Sequence, residues 1–144
     1  MQAGGASRGA SMTFHSAALI LVAEDDPDIA LLVGLQLKRA GYAVAVVETG
    51  SAAFDRALEL RPSAIVLDLA LPGEDGFAVL DRLQSDPRTR GTPVILLSAT
   101  VQESKISDGL ARGATAYVKK PFGAEDLLAA VTAALSPPAP AGPA

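Results

Sequence analysis

The sequence predicts an α/β fold in which five strands and five helices alternate, a doubly wound (βα)5 arrangement around a parallel sheet. Short apolar runs alternate along the chain with stretches whose apolar residues recur at helical spacing, a pattern typical of a parallel sheet with helices on both faces. The apolar runs show little polar alternation, as expected of strands that helices cover on both sides. Polar and charged residues follow the ends of these runs.

Helical periodicity and stop residues define the elements of the first half. Apolar side chains at Ile29, Leu32, Val33 and Leu37 form one stripe of a helix, and Gly41 follows its end. The predicted elements of this half, in chain order, are strand Ala18–Ala23, helix Asp28–Ala40, strand Tyr42–Val47, helix Ser51–Leu60 and strand Ala64–Leu67.

The second half repeats the same alternation. Apolar residues at positions 77, 79, 80 and 83 again recur at helical spacing. The predicted elements of this half are helix Gly76–Gln84, strand Pro93–Leu97, helix Glu103–Ala111, strand Ala116–Lys119 and helix Ala124–Leu135.

A length of 144 residues fits one domain, which we place at residues 17–135. Residues 1–16 are rich in Gly, Ala and Ser and predict a flexible tail. Residues 136–144 are rich in Pro and Ala and predict a disordered end. The absence of cysteine excludes disulfides and thiolate metal sites.

Charge and hydropathy limit the expected partners. A net charge of −4 disfavours binding to the phosphates of nucleic acid, so we expect no nucleic-acid partner. No run reaches the roughly 18 apolar residues that a membrane span requires, so we expect no membrane partner. These features predict a soluble, cytoplasmic protein.

Polar residues at the strand ends predict a site. The carboxyl ends of parallel strands share one edge of the sheet, and ligands bind there where the strand order reverses. In the order 2-1-3-4-5, the first and third strands are neighbours at that point. The polar residues at these ends are Glu24 and Asp25 after the first strand, Asp68 after the third, Ser98 after the fourth, and Lys119 and Lys120 after the fifth.

Three carboxylates in one pocket require a cation. At 4 Å and an effective dielectric constant near 20, each pair of carboxylates repels by about 4 kcal/mol. Oxygen ligands without cysteine, and with the single histidine in the predicted tail, favour Mg2+ or Mn2+ over zinc. A lysine and a hydroxyl beside such an ion suit phosphoryl oxygens, so Asp68 is the candidate nucleophile for an aspartyl phosphate.

Four motifs carry a family resemblance. They are Leu19–Asp28, Ile65–Gly76, Pro93–Ala99 and Gly113–Phe122. In this order, each at a strand end, they resemble the receiver domain of two-component response regulators, in particular stand-alone, chemotaxis-regulator-like receivers. The resemblance covers about residues 18–135 and implies a flavodoxin-like fold with the strand order 2-1-3-4-5.

The resemblance implies a role for each matching residue. Asp68 corresponds to the phosphate acceptor and contributes to the metal site. Asp25 corresponds to the direct Mg2+ ligand, Glu24 to its acidic neighbour, and Ala70 to the position whose backbone carbonyl ligates the metal.

Three further matches concern catalysis and switching. Ser98 corresponds to the hydroxyl that binds a phosphoryl oxygen. Lys120 corresponds to the lysine before a proline in the family, and Tyr117 to the aromatic residue that rotates inward on activation.

Several residues allow a structural interpretation instead. Asp26 and Asp28 are both candidate caps of the first helix. Lys119 competes with Lys120, although alternation along a strand sends the two side chains to opposite faces. Gly109 and Gly113, near the fourth helix, are interpreted as a sign of a loose, mobile element.

The resemblance implies a phosphoacceptor rather than an enzyme that turns over an external substrate. A histidine kinase or phosphotransfer protein would supply the phosphoryl group, and a downstream protein would bind the face of helix 4, strand 5 and helix 5. We expect a stand-alone receiver, or one cut from a longer protein. The alternatives are a receiver-like binding module that is not phosphorylated and a hydrolase with an aspartyl-phosphate intermediate.

Overall fold

The computed structural model describes residues 18–99 and 102–135. The predicted tails, 1–16 and 136–144, lie outside the described residues. The strands are β1 (Leu19–Ala23), β2 (Ala43–Val47), β3 (Ala64–Asp68), β4 (Val94–Ser98) and β5 (Ala116–Lys119). The helices are α1 (Pro27–Arg39), α2 (Gly50–Leu60), α3 (Gly76–Ser85), α4 (Glu103–Ala111) and α5 (Ala124–Leu135).

All neighbouring strands of the sheet are parallel, in the order β2-β1-β3-β4-β5. The flavodoxin-like, doubly wound fold and its order 2-1-3-4-5 are thus confirmed. The reversal of strand order falls between β1 and β3, where Ala23 lies beside Leu67. The residues that follow, Glu24 and Asp68, therefore reach the same edge of the sheet.

Two apolar layers cover the sheet, one on each face. Residues at alternate strand positions, such as Leu21 and Leu67, pack against α2 and α3 on one side. The intervening positions, such as Val22 and Val66, pack against α1 and α5 on the other. β1, β3 and β4 are buried nearly throughout because they are central, whereas β2 and β5 form the partly exposed edges.

The first helix differs from the predicted stripe at one position. Val33 and Leu37 are fully buried, but Leu32 is 45% exposed and does not belong to the core. The helix rotates so that Ala30 and Gly34 face the sheet instead. A Cβ on Gly34 would lie 3.9 Å from Val44 Cγ1, an ordinary van der Waals distance, so the space between α1 and β2 does not require glycine there.

Gly109 has a packing reason that the sequence did not reveal. A Cβ at this position would lie 2.5 Å from Leu96 Cδ1, so any side chain here would force the Leu96 side chain or α4 to move. Gly109 is also the sole buried residue of α4. Close packing at this point, rather than looseness, explains the glycine.

None of the helices in the described ranges is long and apolar enough to cross a membrane.

Candidate functional site

Four strand ends deliver the candidate residues to one edge of the sheet. Glu24 directly follows β1, Asp68 is the last residue of β3, and Ser98 is the last residue of β4. Lys120 directly follows β5. Glu24, Asp68 and Ser98 are buried.

The three predicted acids form one cluster. Glu24, Asp25 and Asp68 each offer a carboxylate oxygen, and these oxygens all lie within 4.8 Å of one another. Glu24 and Asp68 are buried, whereas Asp25 is exposed at the mouth of the pocket. This arrangement opens the acidic pocket to solvent on the side of Asp25.

Lys120 supplies the positive charge within the pocket. Its Nζ lies 2.9 Å from Glu24 Oε1 and 3.1 Å from Asp68 Oδ2. Although burial lowers the pKa of Lys120, the two carboxylates outweigh this effect and raise the pKa above its ordinary value. Lys120 is therefore a permanent ammonium at neutral pH.

Glu24 is held between opposing influences. Burial raises its pKa above the ordinary value, the Lys120 ammonium and the Asp26 amide lower it, and the Asp68 carboxylate raises it again, with a net increase. The Asp26 N–H donates to Glu24 Oε2 at 3.1 Å. Glu24 Oε1 is buried and receives no well-directed hydrogen bond from the described residues, so Lys120 contacts it as an ion pair.

Backbone groups orient the side chain of Asp68. The Ala70 N–H donates to Asp68 Oδ1 at 3.0 Å, while Oδ2 faces Lys120. The Leu69 N–H donates to the Leu97 carbonyl at 3.0 Å and continues the strand pairing one residue beyond Asp68. The Asp68 carboxylate is thus held in place by the turn that follows it.

Ser98 and Tyr117 lie next to this pocket. The Ser98 carbonyl accepts hydrogen bonds from the Lys120 N–H at 2.8 Å and from the Tyr117 hydroxyl at 3.3 Å. The ring of Tyr117 is half-buried and packs against the core on the side of α2 and α3. Ser98 is therefore joined by its backbone to both Lys120 and Tyr117.

The structure distinguishes the residues that had two interpretations. Asp26 caps α1, because its Oδ1 accepts hydrogen bonds from the amides of Asp28 and Ile29. Asp28 lies in the first turn of α1 and is exposed. Lys119 is exposed, whereas Lys120 points into the pocket.

Sequence reasoning missed the amides that hold the acids. The Asp26 N–H donates to Glu24 and the Ala70 N–H donates to Asp68. Because these donors belong to the backbone, the type of amino acid at positions 26 and 70 does not indicate them. Each donor lies two residues after the carboxylate that it binds. A turn directly after a strand-end acid was the available signal, and Pro72-Gly73 marks one after Asp68.

The chemistry of the pocket fits a hard divalent cation. Its donors are carboxylate oxygens, which Mg2+ and Mn2+ prefer. Among the described residues, three carboxylates of the cluster face the single ammonium group of Lys120, so negative charge is in excess. The buried Glu24 Oε1 could accept a hydrogen bond from a water molecule that is bound to such an ion.

A family model gives the decisive comparison. The model of the response regulator receiver domain matches residues 20–132, which include all four strand ends of the pocket. The chain belongs to the response regulator receiver domain family. It is the receiver domain of a two-component response regulator, as the motifs at the strand ends predicted.

Known receiver proteins extend the comparison. The DNA-binding dual master transcriptional regulator RpaA of Synechocystis sp. is 43% identical over 116 residues, covering 81% of this chain and 48% of the relative. The chain spans about half the length of the curated relatives that it matches.

Two solved structures share the fold at receiver length. The chemotaxis response regulator CheY4 of Vibrio cholerae has a TM-score of 0.78 and 29% identity, covering 83% of this chain and 100% of CheY4. The receiver domain of a sensor histidine kinase from Pseudomonas aeruginosa has a TM-score of 0.77 and 28% identity, covering 83% of this chain and 98% of that domain. The latter structure contains a magnesium ion coordinated in its active-site cleft.

The expectation of no nucleic-acid partner is wrong. RpaA and the relative MtrA of Mycolicibacterium smegmatis are named as DNA-binding regulators. The prediction rested on a net charge of −4 taken over this chain. The matched region is only about half of each relative. The net charge of a receiver domain therefore does not indicate whether a longer regulator binds DNA.

Proposed function

We propose that this receiver accepts a phosphoryl group on Asp68 from the phosphohistidine of a partner protein, in a reaction that depends on Mg2+. The observation that carries the proposal is the buried Asp68 carboxylate, held by Lys120 on one oxygen and by the Ala70 amide on the other. This carboxylate has a fixed orientation and belongs to the acidic cluster with Glu24 and Asp25. The magnesium-bound receiver from Pseudomonas aeruginosa supports the same use of the acidic pocket.

The proposed reaction forms an acyl phosphate. An oxygen of Asp68 attacks phosphorus as the bond between phosphorus and the imidazole nitrogen breaks. The imidazole keeps the bonding electrons and takes up a proton. Lys120 neutralises the oxygens of the transferred group, and the Ser98 hydroxyl donates to one of them.

Glu24, Asp25, Asp68 and the Ala70 carbonyl would hold the cation. Mg2+ would supply positive charge to the phosphoryl oxygens during transfer. The protein contributes the fixed carboxylates, and catalysis then consists mainly of positioning and charge neutralisation. This assigns the receiver a stoichiometric role as phosphoacceptor, without turnover of an external substrate.

An apolar groove beside the pocket supports a protein as the phosphoryl donor. The groove has a volume of about 310 Å3 and includes Ile29, Leu32, Pro121 and Phe122 next to Lys120. It accounts for the exposure of Leu32 at the surface of α1. A partner that covers these side chains would bring its phosphohistidine to Asp68 and exclude water from the transfer.

Intact mass spectrometry tests the proposal. We expect incubation with Mg2+ and a small phosphodonor such as acetyl phosphate to add the mass of one phosphoryl group. Chelation of the metal with EDTA should prevent this addition. An unmodified protein in Mg2+ would favour a binding module without phosphorylation, and repeated hydrolysis of free phosphomonoesters would favour a hydrolase.

We propose further that phosphorylation changes the face formed by α4, β5 and α5. The Tyr117 hydroxyl binds the Ser98 carbonyl, which gives β5 a direct contact with the pocket. α4 has one close contact with the sheet, between Gly109 and Leu96, and its other residues are exposed or half-buried, so a shift of the helix would displace few buried side chains. A protein that binds this face would read the phosphorylated state.

Ser98→Ala tests this switch. Phosphorylation of Asp68 should continue, because Lys120 and the acids remain. The change in the face should be strongly reduced, because the hydroxyl that responds to the phosphoryl oxygen is missing. Hydrogen exchange of α4 and β5, with and without the phosphoryl mimic beryllium fluoride, measures the response. An unchanged response in Ser98→Ala would contradict the role of the hydroxyl.

A further inference from the structure

The first residue of α3 lies directly against the turn that follows Asp68. The Gly76 N–H donates to the Leu69 carbonyl at 3.3 Å. A Cβ at Gly76 would lie 2.6 Å from Leu69 Cα and 2.8 Å from the Leu69 carbonyl oxygen. Real Cβ atoms essentially never come this close to another atom. Because both atoms belong to the backbone, rotation of a side chain cannot relieve the contact.

Leu69 connects the two groups that matter most in the pocket. It directly follows Asp68 and directly precedes Ala70, whose N–H holds Asp68 Oδ1 at 3.0 Å. Its own N–H is fixed to the Leu97 carbonyl. A displacement of the Leu69 backbone would therefore move Ala70 relative to Asp68, and with it the carbonyl of Ala70.

Other contacts fix the start of α3 above this turn. The Asp75 side chain caps the helix by accepting from the Phe77 N–H at 3.1 Å. Val79 and Leu80, in the next turn, are fully buried in the core. Since α3 cannot withdraw without loss of this packing, a side chain at position 76 would push the Leu69 turn.

We propose that Gly76 is a positioning residue for phosphoryl transfer: its lack of a side chain lets α3 hold the Leu69–Ala70 backbone, and thereby Asp68 and the metal-binding carbonyl, in place. The inference rests on the proposed function of Asp68. It assigns Gly76 a role beyond that of the first residue of α3.

Gly76→Ala tests the inference against the ordinary effect of this substitution. Alanine in place of glycine within a helix normally favours folding. Here we expect the affinity for Mg2+ to fall roughly tenfold or more, as is typical when a group that orients metal ligands is disturbed. Isothermal titration calorimetry measures this affinity, and the NMR signal of the Ala70 amide in metal-free protein should shift.

Two other glycines provide matched controls. Gly91→Ala meets no atom within 4 Å and should behave as the unmodified protein. Gly109→Ala crowds the end of the buried Leu96 side chain at 2.5 Å, away from the Leu69 turn. It should lower stability without a comparable loss of Mg2+ affinity.

The outcomes separate positioning from general damage. Normal Mg2+ affinity and an unshifted Ala70 amide in Gly76→Ala would overturn the inference, and so would equal losses of affinity in Gly76→Ala and Gly109→Ala. If Gly76→Ala is unfolded in buffer, titration in trimethylamine N-oxide preserves the comparison, because this osmolyte favours the folded chain. Failure of the unmodified protein to bind Mg2+ would instead contradict the proposed function.

Discussion

Replacement of Asp68 by asparagine is expected to abolish phosphoryl incorporation while the protein stays folded. The amide has nearly the same shape as the carboxylate, and its oxygen can still accept from the Ala70 N–H. It lacks the anionic oxygen that attacks phosphorus. Lys120 keeps Glu24 as its partner at 2.9 Å, so the buried charges remain compensated.

Intact mass after incubation with Mg2+ and acetyl phosphate measures this loss. Asp28→Asn is the matched control. It makes the same chemical change outside the pocket, because Asp28 is exposed in the first turn of α1. Thermal unfolding of both variants establishes that they are folded. Incorporation at the normal level in Asp68→Asn would place the phosphoryl group on another residue and refute the assignment.

Replacement of Lys120 by methionine is expected to destabilise the metal-free protein by about 3 kcal/mol at neutral pH, the typical cost of breaking a buried ion pair by removal of one partner. Methionine keeps the length and apolar stem of lysine but leaves Glu24 and Asp68 facing each other. Mg2+ should recover part of the loss, since it restores positive charge to the pocket. Urea unfolding with and without Mg2+ measures both effects.

The effect of pH on this variant has a defined sign. In the unmodified protein the pKa of Glu24 is already raised by burial. Loss of the Lys120 ammonium raises that pKa further. A carboxyl whose pKa is higher in the folded state than in the unfolded state destabilises the fold when ionised; this cost is full above the folded pKa, decreases as pH falls below it, and is gone below the unfolded pKa. The deficit of Lys120→Met should therefore shrink on mild acidification.

Lys119→Met is the matched control for this measurement. Lys119 is the neighbouring residue and is exposed, so its removal should change stability little. Equal unfolding free energies of the two lysine variants would contradict the importance of the ion pairs in the pocket.

The central strands could be predicted from sequence because burial determines their composition. Residues 64–67 are all apolar, so both faces of this strand are apolar. This composition is typical of a strand that is covered on both sides. Asp68 then stood out as a charge at the end of such a run. The edges were harder, and Leu32 was assigned to the core although α1 presents it to solvent. The spacing of the apolar residues predicted the helix, but it did not show that Ala30 and Gly34 face the sheet in place of Leu32.

The internal contacts of the site could not be predicted in the same way. Lys120 was distinguished from Lys119 by a motif, but its contact with Glu24 as well as Asp68 depends on how β5 lies relative to β1 and β3. The choice of Asp26 as helix cap depends on its extended backbone, with ψ of 115°, which residue type does not encode. The sequence shows Gly76 only as the start of a helix, because its contact with the Leu69 backbone depends on how α3 packs against the turn after β3.

The pocket draws its charged groups from three segments that lie far apart in the chain, at the ends of β1, β3 and β5. An unfolded chain cannot assemble such a set, so a divalent cation has a site only in the native state. Occupancy and melting temperature are then thermodynamically linked, and a cation at a hundred times its dissociation constant adds about 2.7 kcal/mol to the free energy of unfolding. Melting temperatures recorded at increasing concentrations of the cation would therefore measure its affinity for the pocket.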